Sequence, residues 1–106
     1  MKEFFKKLFG KSGDEIDNYQ YKGAEDIIMT CSALRGYNRH SDAIRLYEKF
    51  DQQIIDSDYE VVGLTTIIKI CQENFDTPRM VNYAKRLKVL APDHTWVIEL
   101  NKYHTL

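Results

Sequence analysis

A chain of 106 residues with 15 Lys plus Arg against 16 Asp plus Glu is long enough for one domain that buries roughly two thirds of its unfolded surface without a metal or disulfide staple. No apolar run approaches the roughly 20 residues of a membrane-spanning helix, and the first dozen residues lack the apolar core and cleavage site of a secretory signal, so a cytoplasmic protein is expected. Charge is unevenly spread: residues 1–11 sum to +3, residues 12–60 to −6 and residues 61–106 to +2. An acidic middle repels a phosphate backbone and attracts a basic surface, so a basic protein is the expected partner and nucleic acid is not. The bland alternative, carboxylates that cap helices and solvate faces, stands beside it.

In chain order, Met1 to Phe9 sets Phe4, Phe5, Leu8 and Phe9 on one side with Lys2, Lys6 and Lys7 beside or opposite them. That is the pattern of a short amphipathic helix, packed on the domain or in weak contact with a membrane surface. Gly10 and Gly13 end it. Residues 11–22 are polar apart from Ile16, Tyr19 and Tyr21, and read as a linker or a loose strap laid over the bundle. The division is a strap region, 1–22, and a helical domain, 23–106.

Ala24, Ile27, Ile28, Cys31 and Leu34 follow helical spacing over 24–35, with Gly36 in the usual C-terminal position. A short turn leads to Ser41 as N-cap of a second helix, 42–54, whose stripe is Ala43, Leu46, Tyr47, Phe50 and Ile54. Ser57 and Glu60 form a capping box for a third helix, 58–73, apolar around most of its circumference and so expected to be central. Thr77 and Pro78 open a fourth, 78–91, with Met80, Val81, Ala84, Leu87, Leu90 and Ala91 on one face. Pro92 and Asp93 end it and cap a fifth, 94–103, whose Trp96, Val97, Leu100 and Tyr103 close the open end. Cys31 and Cys71 fall on apolar faces and read as buried thiols.

A faint repeat underlies this order. Ala24, Ile27, Cys31, Leu34, Ala43, Ile44, Phe50 and Ile54 are each followed 37 positions later by another apolar residue, which implies stacked helix pairs that cover one another's apolar faces. Through Ala43, Tyr47 and Phe50 in the first unit, and Ala84, Leu87 and Pro92 in the second, residues 24–103 resemble tetratricopeptide repeats and, more loosely, pentatricopeptide units. The resemblance implies an all-α fold: two antiparallel hairpins stacked as a short right-handed solenoid, with a C-terminal capping helix and a role in protein binding.

Chemistry is not expected. His40, Ser41 and Asp42 are consecutive and point in different directions at a helix start, so they cannot form a triad. No two His or Cys have the spacing of a zinc site, and no glycine-rich phosphate loop follows a strand, so neither metal nor cofactor is expected. The expected role is a non-catalytic protein-binding module, in its sharpest form a small inhibitor of a basic protein, as immunity proteins are; the alternatives are an adaptor or assembly factor, or a membrane-surface accessory protein that uses the basic, Phe-rich N-terminus. The candidate contact residues are Asp14, Glu15, Asp17, Glu25 and Asp26 for charge, Tyr19, Tyr21 and Tyr37 as aromatic anchors, and Arg39 and His40 beside Tyr37. Tyrosines that merely fill the seam under the strap are an equal reading.

Overall fold

The computed structural model describes residues 14–106, and these form seven helices with no strand. They are α1 (Asp14–Asp17), α2 (Ala24–Gly36), α3 (His40–Lys49), α4 (Asp51–Ile54), α5 (Glu60–Glu73), α6 (Thr77–Leu90) and α7 (Thr95–Asn101). The all-helical class and the five expected helices are present. The amphipathic segment expected over residues 1–9 lies outside the described residues.

The 37-residue repeat survives in the backbone. It carries α2 onto α5 and the start of α3 at His40 onto the start of α6 at Thr77. The two inter-helix turns are equivalent to the bond. Asn38 and Phe75 both adopt positive φ, +61° and +57°. In the first turn Arg39 N donates to Leu34 O (2.8 Å) and Asn38 N to Arg35 O (2.9 Å); in the second Asp76 N donates to Cys71 O (2.8 Å) and Phe75 N to Gln72 O (3.2 Å). This is the Schellman pattern at both places, with a left-handed residue closing the helix. Gly36, expected in that role, instead ends α2 within the helix.

Because the turns are this tight, each following helix starts earlier than the expected caps. Arg39, not Ser41, precedes α3. Asp76, not Thr77, caps α6, its carboxylate accepting from Arg79 N at 3.3 Å. The expected box at Ser57 is also shifted: Glu60 accepts from Asp56 N (2.9 Å), while the Ser57 hydroxyl donates to Ile54 O and accepts from Tyr59 N. His94 rather than Asp93 caps α7 through Nδ1. The second expected helix is broken at Phe50 into α3 and α4.

Helix α5 is central, packing on α2, α3 and α6, while α7 packs on α6 and α1 on α3. Its buried face is Gly63, Leu64, Ile67, Ile68, Ile70 and Cys71. Val61 and Val62 are exposed, so the helix is not apolar all round in effect, and Leu90 and Tyr103 are exposed too. Gly63 lets α5 approach α3: a Cβ there would stand 2.9 Å from the Tyr47 hydroxyl. Tyr83, outside the expected stripe, is buried edge-on against Tyr47 with ring centroids 5.6 Å apart. The strap is tied down. Ile16 is fully buried, Lys49 Nζ donates to the Ile16 and Asp17 carbonyls, and Arg45 pairs with Asp17 at 2.8 Å.

Candidate functional site

The first helices of the two hairpins run parallel, and polar contacts at both ends show it. At their N-terminal ends Glu25 lies near the Tyr59 hydroxyl and raises the tyrosine pKa. At their C-terminal ends Arg35 of α2 grips Glu73 of α5 with two bonds, 2.6 and 2.7 Å, and His40 Nε2 approaches the same carboxylate at 2.9 Å. The Arg35 guanidinium, with His40 beside it, lowers the Glu73 pKa to about 2.

Between these ends lies a pocket of about 220 Å³ lined by Ser32 and Arg35 of α2, Thr65, Thr66 and Lys69 of α5, and Trp96 of α7. The two threonine hydroxyls are turned back to the Val62 carbonyl, at 2.9 and 2.8 Å. One turn toward the N-termini, helical spacing puts Met29 beside Ser32 and Val62 beside Thr65 and Thr66 on the same face, and they are 64% and 50% exposed. Lys69 makes no ion pair among the described residues. The face thus grades from exposed apolar side chains through small hydroxyls to a free cation flanked by an indole, a mixture suited to a polypeptide segment.

The ten contact residues expected from sequence fall into two groups at opposite ends of α2, a helix of 13 residues and hence about 20 Å long. Glu15, Asp17, Tyr19, Tyr21, Glu25 and Asp26 lie toward its N-terminal end, as does the backbone of Asp14; Tyr37, Arg39 and His40 lie at the other. Several are occupied within the fold. The Tyr19 hydroxyl donates to Asp26 (2.6 Å) and its pKa rises to about 12 through burial and that bond. Tyr19 and Tyr21 pack on Phe50 with centroids 6.3 and 5.4 Å away, filling the seam under the strap. Arg39 pairs with Asp42 at 2.8 Å, and Tyr37 is half-buried against the core. Thr65, Thr66 and Met29 are not among the residues expected from sequence, and Lys69 is not among the expected contact residues. The signal available for them is the exposed remainder of the two first-helix patterns once the core stripes are removed.

Among the described residues no group of three or more His, Cys, Asp or Glu could hold a metal ion. Both thiols are buried and free, and burial raises their pKa, to about 12 for Cys71. No described helix is long and apolar enough to cross a membrane. Compared with known proteins, the chain matches no family model, no curated protein and no solved structure.

Proposed function

We propose that this chain is a non-catalytic protein-binding module, built as a short right-handed stack of tetratricopeptide-like hairpins, that takes a partner segment along the face shared by α2, α5 and α7. The observation that carries this reading is the graded face: Met29 and Val62 exposed on parallel helices, leading to a pocket with Trp96 and with Lys69, which has no ion pair among the described residues. Exposed apolar side chains beside an aromatic wall supply contact area, and a free cation fixes orientation. The favoured form of the role is a small blocker that sequesters a basic protein, supported by the net −6 of residues 12–60, with an adaptor as the other form.

The full-length chain as bait, compared with Val62→Asp and Lys69→Glu, tests the face. A protein retained by wild type should be lost from the Val62 variant and weakened by the Lys69 variant. Equal retention by all three sinks the assignment. For the basic partner, Asp17 and Asp26 are poor probes because they hold Arg45 and Tyr19. Asp56→Asn with Asp58→Asn is better: both residues are exposed, and Asn suits the positive φ of Asp56, +66°. That pair should slow association and flatten its salt dependence.

A further inference from the structure

We infer that the turn edge carrying Phe75 is a self-association surface, occupied by the same edge of a second copy of this chain. Phe75 is 92% exposed and sits at φ +57°. The equivalent turn of the first hairpin uses Asn38, which takes the left-handed region at little cost; an aromatic side chain does not. Folding alone is better served by Asn or Gly at 75, so the ring is displayed against the interest of stability. The two Schellman bonds at Phe75 N and Asp76 N hold that display rigid, which limits the ordering that association would require.

Charge selects the occupant. The charged side chains bordering the ring are already ion-paired within the chain, Glu73 with Arg35 on one flank, where His40 Nε2 also approaches the carboxylate, and Asp76 with Arg79 on the other. An edge neutralised from within can meet its own copy across a two-fold axis without like-charge repulsion. Val89, 83% exposed, lacks this property: Lys85 and Lys88, within a turn of it, have no ion-pair partner among the described residues, so copies meeting there would set cation against cation. The two depressions beside Phe75 share Asn74 and are lined almost wholly by polar side chains. They offer no apolar socket, and ring against ring at the axis is the arrangement that covers Phe75. The ends of two hairpins span about 20 by 20 Å for helices about 10 Å across, roughly half the approximately 800 Å² per partner of a stable complex. Association is therefore weak, with a Kd of about 0.1 to 1 mM.

This inference does not rest on the binding role proposed above. Sedimentation velocity of the full-length chain from about 10 μM to about 1 mM covers that range of Kd. The wild-type weight-average mass should climb toward twice the monomer. Phe75→Asn should stay monomeric throughout and, at the lowest concentration, melt at a higher temperature; Phe75→Gly provides the same comparison by a second route. Val89→Asp should associate like wild type. A wild-type chain that is monomeric at the highest concentration overturns the proposal, as does association that survives both Phe75 variants or disappears in the Val89 variant.

Discussion

Tyr47 shows how closely single side chains are fitted. Its ring is fully buried, and its hydroxyl has no hydrogen-bond partner among the described residues. Burial pushes its pKa upward, so it stays protonated. Tyr47→Phe removes an unsatisfied donor at almost constant shape and should leave stability unchanged or raise it by up to about 1 kcal/mol. Gly63→Ala tests the same contact from the other side. Helix propensity favours Ala by about 1 kcal/mol, but its Cβ would meet the Tyr47 hydroxyl at 2.9 Å, Ile28 Cδ1 at 3.2 Å and Ile54 Cγ2 at 3.3 Å. Overpacking of this kind costs about 1 to 3 kcal/mol, so a net loss of about 1 kcal/mol is expected in urea unfolding. The loss should shrink in the Tyr47→Phe background, because the nearest atom is gone. A variant as stable as wild type would show slack between α3 and α5. Residues of this type were only half legible. The apolar spacing placed Tyr47 in the core, but nothing in the pattern marked Gly63 as a crossing point or Tyr83 as buried. Phe75 was findable in principle, since the 37-residue offset sets it opposite Asn38.

At the scale of elements, the helices were legible and their first residues were not. Apolar spacing is redundant over three or four turns, so one exposed Val or Leu does not disturb it. Caps depend on one residue, and here adjacent candidates compete: Asp76 with Thr77, Asp93 with His94. At the first of these the tight turn decides, as it does at Arg39, because the residue that completes the Schellman pattern, Arg39 or Asp76, is also the one that opens the next helix. The break at Phe50 had no apolar signature, since Phe50 itself and Tyr47 and Ile54 on either side of it are all buried. The centrality of α5 supports a sharper test. Ile68 is 1% exposed in the helix that touches α2, α3 and α6. Ile68→Asp would bury an unpaired carboxylate at a cost of several kcal/mol, against a total stability of about 5 to 15 kcal/mol. Loss of the cooperative melt by circular dichroism is expected, and an unchanged melting temperature would contradict the packing described.

Across the whole molecule, part of the uneven charge seen in the sequence is spent inside the fold. Arg35 of the first unit holds Glu73 of the second, while Arg79 and Arg86 of the second hold Glu48 and Asp51 of the first. An acidic first half is thus in part a complement to its own neighbour, which no charge count along the chain could reveal. Glu73 makes one of these ties pH-sensitive. Its folded pKa, about 2, lies below the unfolded value of 4.5, so its contribution is complete above about pH 5 and is lost as pH falls through the folded value. Thermal melts from pH 6 down to pH 2 should therefore show a shallower acid loss in Glu73→Gln than in wild type; identical slopes would mean that solvent screens the tie. The parallel pairing of α2 with α5, and the peripheral places of α1 and α7, also set a hierarchy of motion. Amides of α5 can reach solvent only when three neighbours part, so they should exchange hydrogen solely through global unfolding. Those of α7, which packs chiefly on α6, should exchange through local opening at far smaller free energy. Native-state exchange followed by NMR would order the helices by number of neighbours, and equal protection in α7 and α5 would show instead that the stack opens as one unit. In the graded case, the Trp96 wall of the pocket rides on the least protected helix, and its closing over a bound segment would appear as slower exchange in α7 before any change in α5.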